Sequence, residues 1–315
     1  MVIVGAGAVG CLLAARLSLA GTPVIMLARD GRRRELVGGL TLETLPEAGP
    51  WGAFGPVRVA RAALQVVADA HALPPSPALV VVCVRAYQTA EAARGLAAAS
   101  VRPRAVLTLQ NGLGNAEALA QAFPESVVLA GTTTHGVTWV PPATVRHAGA
   151  GDTVIGPWLR DPLALALARN AARWLSCAGL PTSVATDPRP SLWLKVAVNA
   201  AINPPTAIHG IENGALLDGG RLEGDLRSAA REVAAVASAE GVALDAKACE
   251  DAALAVARRT ARNRSSMLQA RLAGRPLETD AITGEVVRRG RLHRVPTPVN
   301  QAHLAALLGL AGTAR

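Results

Sequence analysis

Three polar side chains at helical spacing are of types suited to proton transfer and hydrogen bonding. Lys195, Asn199 and Asn203 occupy positions i, i+4 and i+8, which places them along one side of a helix. Their neighbours are mostly apolar, so the row interrupts a helix of otherwise buried character, and Pro204–Pro205 is expected to end that helix. A structural explanation stays open, in which the lysine extends to solvent and the asparagines bridge helices.

The scarcity of lysine makes Lys195 conspicuous. Of the 32 basic residues only two are lysines, Lys195 and Lys247. Arginine does not release its proton in a protein, whereas burial can tune a lysine ammonium to act as an acid or a base. The pattern therefore favours proton transfer as the role of Lys195.

A glycine loop near the N-terminus has the spacing of a dinucleotide-binding motif. The segment Gly5-Ala6-Gly7-Ala8-Val9-Gly10 follows the apolar run Val2–Val4 and precedes a helical pattern. In such a loop the first glycine allows a tight turn, the second lets the backbone approach the pyrophosphate, and the third lets helix and strand pack closely. The strand before and the helix after supply the context that the motif requires, so all six residues are predicted to bind the cofactor.

An arginine stands where the cofactor's ribose is recognised. Arg29 follows the second predicted strand, at which NAD enzymes usually carry an acid for the 2′-hydroxyl, and an arginine there suits the 2′-phosphate of NADP. Asp30 complicates this assignment, and Arg32–Arg34 can equally be a solvated face. Arg85, after a later apolar strand, is a second candidate cation, and the expected cofactor is NADPH or NADP+.

The order of predicted elements indicates an α/β fold. Strands are predicted at 22–27, 78–84 and 105–109, further strands within 132–145 and 152–155, and a helix at 162–177; this alternation indicates a parallel sheet covered on both faces. From about residue 187 only helices are predicted, at 191–202, 221–240, 245–272, 278–290 and 297–309. We therefore expect an N-terminal Rossmann dinucleotide-binding domain over 1–186 and a C-terminal all-helical domain over 187–315.

Composition narrows the class of protein. Half of the residues are hydrophobic and 17% are charged, which is typical of a folded protein. The formal charge of +9 comes with only 3% aromatic residues, so nucleic acid is not the expected partner. The apolar start of the chain contains four glycines and Arg16, and no membrane association is predicted. The four cysteines are scattered, which favours a cytoplasmic setting.

The six histidines have no spacing typical of metal ligands, so no metal is predicted. A dehydrogenase that uses histidine as its acid stays an alternative, because histidine is the commonest general acid, and His135 is its first candidate. Whether the protein is a monomer or a homodimer is left open by the sequence.

With these residues in place, the whole chain resembles the ketopantoate reductase (2-dehydropantoate 2-reductase) family of the pantothenate pathway. The resemblance rests on several motifs that occur in the family's order along the chain. They are the glycine loop, Gln110-Asn111-Gly112-Leu113-Gly114, Gly131-Thr132-Thr133-Thr134-His135, Lys195-Val196-Ala197-Val198-Asn199 with Asn203-Pro204, Asn263-Arg264-Ser265-Ser266-Met267-Leu268-Gln269, and Glu278-Thr279-Asp280-Ala281-Ile282-Thr283-Gly284.

The resemblance implies a role for each matching residue. Lys195 matches the family's general acid, Glu278 its substrate-binding glutamate and Asn111 an active-site asparagine near the cofactor; these three form the expected catalytic set. Arg29 matches the residue that favours NADPH. The residues expected to hold the substrate are Asn199, Asn203, Asn213, Asn263 and Ser266.

The implied reaction is NADPH-dependent reduction of ketopantoate to pantoate, with a hydride added at C2. Three positions depart from the family pattern: Arg85 replaces a usual lysine, Ala270 a frequent aspartate and Leu277 a frequent threonine. The last two flank substrate residues, so a related reductase or dehydrogenase of another 2-keto or 2-hydroxy acid stays an alternative. A non-catalytic NADP(H)-binding sensor would need the glycine loop and Arg29 but not the polar row.

Overall fold

The computed structural model describes residues 1–49, 55–159 and 161–312. Within them the chain forms two compact units, one made of Met1–Gln110 with Asn115–Pro188, the other of Asn111–Gly114 with the chain from Arg189 onward. The expected division of roles between 1–186 and 187–315 stays a prediction.

The first unit combines short strands with helices. Its strands are β1 (Val2–Val4), β2 (Val24–Leu27), β3 (Leu40–Thr44), β4 (Gly55–Val59), β5 (Leu64–Val67), β6 (Leu79–Val82), β7 (Ala105–Thr108), β8 (Val127–Thr133), β9 (Gly136–Val140), β10 (Thr144–Gly149), β11 (Thr153–Pro157) and β12 (Thr182–Val184). Its helices are α1 (Ala8–Leu19), α2 (Asp30–Leu36), α3 (Thr89–Ala98), α4 (Asn115–Ala122) and α5 (Pro162–Cys177).

Eight strands form the central sheet in the order β12-β11-β8-β7-β6-β1-β2-β5. From β8 to β5 neighbouring strands are parallel, and β11 runs antiparallel to β8. All four residues of β6 are buried, as expected of a parallel strand covered on both faces. The predicted Rossmann fold is thereby confirmed, with β2, β6 and β7 where the sequence places them.

The sheet has its topological switch point at β1, which lies between β2 and β6. Open α/β sheets bind ligands at such a point, outside the carboxyl ends of their strands. The ends of β1, β2, β6 and β7 are level, since Val4 pairs with Leu27 and Val82, and Val82 with Thr108. The residues that follow these strands therefore leave the sheet at one edge; among them are Gly5, Arg29, Arg85 and Gln110.

A second sheet, of order β4-β3-β10-β9, packs against α1. The sequence pattern does not predict β3, β4 or β5. It does indicate strands in 132–145 and 152–155, which the structure resolves into β8 to β11.

The second unit is helical. Its helices are α6 (Arg189–His209), α7 (Arg221–Ala239), α8 (Ala246–Arg259), α9 (Ser266–Leu272), α10 (Glu285–His293) and α11 (Pro298–Gly312), with a π-helical turn at Asp280–Gly284 before α10. Side chains of Asp245 and Ser265 cap α8 and α9 by accepting backbone N–H groups of Ala248 and Leu268. No helix in the described residues is both long enough and apolar enough to cross a membrane.

The prediction that Pro204–Pro205 ends its helix is wrong, because α6 continues to His209. Two prolines remove two backbone donors, which would end an exposed helix. Here α6 contacts α7, α8, α9 and α11, and both prolines are buried. The Thr206 hydroxyl also bonds back to the Ile202 carbonyl at 2.7 Å. Tertiary packing thus overrides the local signal.

The helix predicted over 245–272 is also wrong, because it is interrupted at residues 260–265. The carbonyls of Ala261 and Asn263 accept the backbone N–H groups of Gly214 and Asn213, at 2.9 and 3.0 Å. These bonds to a distant segment replace the bonds that a continuous helix would make.

Candidate active site

The glycine loop has the geometry that its spacing predicts. Gly5 has a φ of +106°, and a Cβ on it would lie 2.8 Å from the Val84 nitrogen. A Cβ on Gly10 would overlap the Gly5 carbonyl oxygen. Only glycine fits at these two positions, because the turn after β1 packs too closely against the residues after β6 and against α1 for a side chain.

Gly7 differs from the other two glycines, because packing within the chain does not require it. It is exposed at the N-cap of α1, and a Cβ there would meet only the Cys83 carbonyl oxygen, at 3.9 Å. The missing side chain leaves the N-terminal N–H groups of α1 open to a ligand. A helix N-terminus that no side chain caps suits an anion such as a pyrophosphate, so the loop fits a dinucleotide.

Arg29 lies exposed at the N-cap of α2, directly after β2. Its guanidinium makes no ion pair with any described residue. Asp30, whose charge complicates the choice of cofactor, is engaged by Arg33 Nε at 3.0 Å and an Arg34 Nη at 2.8 Å. These hydrogen bonds hold the pKa of Asp30 below its usual value. The local arrangement thus leaves one cation available at the end of β2.

A buried polar network, which the sequence analysis does not predict, organises the loops after β6 and β7. Gln110 Nε2 donates to the Val84 carbonyl at 2.8 Å and to Thr89 Oγ1 at 2.7 Å, while its Oε1 accepts from Thr108 at 3.0 Å. Thr89 in turn donates to Asn115 Oδ1 at 2.8 Å. The network fixes the backbone just before the partly buried Arg85. Four uncharged residues spread over 27 positions have no recognisable spacing in sequence, so only their fold reveals them.

In the second unit, α6 confirms the helical placement of Lys195, Asn199 and Asn203. Asn203 is buried, and the other two are partly buried. Loss of hydration lowers the pKa of Lys195 to about 8, while the nearby carboxylate of Glu278 acts in the opposite direction. The pair therefore combines an ammonium that can release its proton with a carboxylate beside it.

Asn263 and Ser266 lie on a segment that is fastened to α6. Both are exposed, whereas Ser265 between them is buried, and its hydroxyl bonds to Thr206 at 2.7 Å. Thr206 is one turn beyond Asn203, so this bond brings the segment to the end of the polar row.

Asn213 is committed to local structure through its nitrogen atoms. Its Nδ2 donates to Thr260 Oγ1 at 2.8 Å, and its backbone N–H donates to the Asn263 carbonyl at 3.0 Å. Its Oδ1 is buried and accepts no hydrogen bond in the described structure. The side chain thus links residues 213 and 260–263 and keeps one acceptor in reserve.

The loop Asn111–Gly114 is anchored on the π-helical turn that follows Glu278. The Leu113 N–H donates to the Ala281 carbonyl at 2.8 Å, and Leu113 is buried in the core of the helical unit. Gly112 has a φ of +85°, and a Cβ on it would overlap Ala281. Asn111, which is partly buried, is therefore two residues away from this anchoring hydrogen bond. The anchor itself is a π-helical turn, an element that is frequent at functional sites.

His135, the alternative acid, belongs to a buried cluster of the first unit. An Arg16 Nη lies 3.1 Å from His147 Nδ1, and His147 Nε2 lies 3.0 Å from His135 Nδ1. Because arginine only donates, neutral His147 carries its proton on Nε2 and donates it to His135. Burial lowers the pKa of His135, so the neutral form is favoured. The contacts are those of a structural network.

The sheet order and the glycine loop at the switch point define a protein of the Rossmann dinucleotide-binding class. A family model described as "Ketopantoate reductase PanE/ApbA" matches residues 1–160, and one described as "Ketopantoate reductase PanE/ApbA C terminal" matches residues 187–311. The chain belongs to this family, as the resemblance implied.

Individual relatives agree with the family models. A 2-dehydropantoate 2-reductase of Halobacterium salinarum is 40% identical, over 99% of this chain and 98% of its own. One of Vibrio cholerae is 34% identical, over 96% of this chain and 94% of its own. The crystal structure of a PanE/ApbA family ketopantoate reductase from Ralstonia eutropha JMP134 has a TM-score of 0.85 and 31% identity, and covers 100% of this chain and 99% of that one.

Proposed function

We propose that this protein is a 2-dehydropantoate 2-reductase, an oxidoreductase that uses NADPH to reduce ketopantoate to pantoate in pantothenate biosynthesis. Its relatives along the whole length of the chain carry this name. The observation that carries the proposal is the lysine of α6, partly buried, with the Glu278 carboxylate as its charged neighbour. A protein that only sensed the cofactor would have no use for such a pair.

The chain's own residues fit NADPH. We assign the pyrophosphate to the backbone of Gly5-Ala6-Gly7-Ala8-Val9-Gly10 and the 2′-phosphate to Arg29, with Arg85 as a second cation. When bound, NADPH supplies the hydride that reduces C2 of the substrate. An arginine can bind a phosphate bidentately, so the exposed guanidinium of Arg29 favours NADPH over NADH.

Lys195 is the proposed general acid. Reduction at C2 leaves negative charge on the former carbonyl oxygen, and an ammonium there both stabilises this charge and supplies the proton. With a pKa of about 8 the group is mostly protonated at neutral pH, yet releases its proton more easily than an exposed lysine.

The remaining polar residues position the substrate. We assign the substrate's far hydroxyl to Glu278, because a 2-keto acid that lacks this hydroxyl would not donate the hydrogen bond that the carboxylate can accept. Asn111, Asn199 and Asn203 are assigned to orienting the carboxylate and carbonyl, which reduces the entropy lost on reaching the reactive geometry. Asn213, Asn263 and Ser266 complete the proposed set.

Three wider assignments accompany this function. Residues 1–186 are proposed as the NADP-binding domain and 187–315 as the substrate and catalytic domain, in keeping with the two family models. The proposed location is the cytoplasm, since all four cysteines are free thiols. A homodimer is the assembly to test first by sedimentation, because α10 and α11 expose Leu292 and Leu308.

The decisive experiment is to follow NADPH oxidation with ketopantoate, pyruvate and 2-oxoisovalerate. We expect a clear preference for ketopantoate, and Lys195→Ala should lower kcat by roughly 10²- to 10⁴-fold, as loss of a general acid does. Lys247→Ala is the matched control, since this other lysine is exposed and, among the described residues, pairs only with Asp251. Near-normal turnover by Lys195→Ala would refute the role of Lys195 as general acid. Equal turnover of the three keto acids would refute ketopantoate as the preferred substrate.

A further inference from the structure

The positive charge of the chain is concentrated in one short segment. Residues 252–277 contain six arginines and no aspartate or glutamate, so they hold six of the nine net positive charges. The 251 residues before them contain 21 basic and 20 acidic side chains and are almost neutral. A general preference for arginine throughout the chain does not explain this concentration.

All six arginines are exposed, and the side chains of five of them form no ion pair or hydrogen bond with the described residues. We call these five the basic strip: Arg258, Arg259, Arg262, Arg264 and Arg275. The sixth, Arg271, is used structurally, because its guanidinium donates to the Ile208 and Ala207 carbonyls near the C-terminus of α6.

Stability accounts for only part of the basic strip. Arg258 and Arg259 lie in the last turn of α8, where positive charge interacts favourably with the helix dipole. Arg262, Arg264 and Arg275 lie in loops and have no such role. Unpaired charges of one sign repel each other, so their concentration in a segment that contains no aspartate or glutamate indicates a use outside folding.

The basic strip adjoins residues assigned to the substrate. Asn263 lies between Arg262 and Arg264, and the Ser265–Thr206 bond of 2.7 Å fastens the same segment to the helix of Lys195. Any anion that reaches Asn263 or Ser266 therefore enters the field of at least two unpaired guanidinium groups.

We propose that the basic strip is an electrostatic guide for the substrate's carboxylate, with Arg262 and Arg264 as its main contributors. This inference rests on the proposed function, since it requires an anionic acid as substrate. Positive potential around a binding site raises the local concentration of an anion and its rate of association. The basic strip thus selects for charge, whereas Glu278 is assigned to the hydroxyl.

The test is the double variant Arg262→Gln/Arg264→Gln, assayed at low and high ionic strength. At low salt we expect KM for ketopantoate to rise roughly two- to four-fold, which is the effect of two unit charges about 10 Å away. We expect kcat and the KM for NADPH to stay unchanged, and the difference to disappear at about 0.5 M salt, where the Debye length is only a few ångströms.

The matched control is Arg291→Gln/Arg294→Gln, which removes two exposed arginines of the helical unit that lie outside the basic strip and pair with no residue that the structure describes. The proposal is overturned if this control shifts KM as much as the test variant does. It is also overturned if the test variant lowers kcat at constant KM, or if its KM shift persists at high salt.

Failure of the proposed function would look different. The basic strip acts on charge, so pyruvate and 2-oxoisovalerate should show the same salt-dependent shift as ketopantoate, whichever acid is preferred. If the unaltered chain turns over none of them, the proposed function is overturned, and calorimetric titration with pantoate at both salt concentrations decides about the basic strip. An affinity for pantoate that is the same at both salt concentrations, or no binding of pantoate, would overturn the proposed role of the basic strip.

Discussion

Lys195 is both the acid of the proposed reaction and the residue that sets its upper pH limit. Burial lowers its pKa to about 8, and a general acid must be protonated to act. We therefore expect kcat/KM to be constant near neutrality and to fall as pH rises through about 8. The measurement is kcat/KM between pH 6 and 10, since this quantity reports the pKa of the free enzyme.

Lys195→Arg tests the same limit independently. An arginine keeps its proton throughout this range, so the variant should be slow but should lose the decline above pH 8. A decline that remains in Lys195→Arg would assign the titration to another group.

For single residues, the sequence is informative where a chemically suitable side chain is also rare in the composition. Lys195 is recognisable because lysine is rare here and because its partners recur at helical spacing. The network of Gln110, Thr89 and Asn115 carries no such signal, since its members are uncharged and meet only in the folded unit. Asn213 and Asn263 are suggested only by resemblance, and their mutual backbone bond emerges only from the structure.

Among the elements, the loop Asn111–Gly114 offers a sharp test of how the site is held. Gly112 and Gly114 share a φ of +85°, so alanine is strained at either position. At Gly112 the new Cβ would also overlap Ala281, whereas at Gly114 its nearest neighbour is Glu285 Cδ at 3.9 Å. Comparison of the two variants therefore isolates the contact with the π-helical turn.

We expect Gly114→Ala to lose about 1–2 kcal/mol of stability, the cost of the left-handed conformation, and Gly112→Ala to lose more, because its Cβ also overlaps Ala281. Only Gly112→Ala should also lower kcat substantially, by roughly ten-fold or more, because it displaces the loop beside Asn111. Chemical denaturation and steady-state kinetics give the two quantities. Equal kcat values for the two variants would show that the anchor does not position the site.

The elements that sequence patterns miss have a common physical cause. β2 and β6 are predicted because each is a short apolar run that follows a segment with glycine or proline. The continuation of α6 through Pro204–Pro205 and the break after α8 depend instead on contacts with distant segments. Local propensity is a weak signal beside such tertiary contacts.

For the molecule as a whole, the buried histidines set the response to acid. His147 is fully buried between Arg16 and His135, with Thr44 on the same guanidinium and Asp152 acting on His135. Burial and the neighbouring positive groups lower its pKa from 6.5 to about 4. Between pH 6.5 and about pH 4, this histidine therefore binds a proton in the unfolded chain but stays neutral in the folded chain.

The contribution of neutral His147 to the free energy of unfolding should consequently be fully present above about pH 6.5. It should fall by roughly 3 kcal/mol as pH decreases toward about 4. The free energy of unfolding in urea, measured across this range, gives the slope. His147→Gln should flatten it, and His71→Gln, which removes an exposed histidine, should not. An unchanged slope in His147→Gln would assign acid sensitivity to other groups.

The placement of Leu113 has a consequence for biosynthesis. The helical unit fills part of its interior with a side chain that leaves the ribosome about 75 residues before the unit's first helix begins. A fragment that starts at Arg189 would lack this leucine and carry a cavity, which costs about 2–5 kcal/mol for a missing core leucine. Separately expressed halves would therefore be poor substitutes for the intact chain. During translation, Leu113 is synthesised before the helices that bury it.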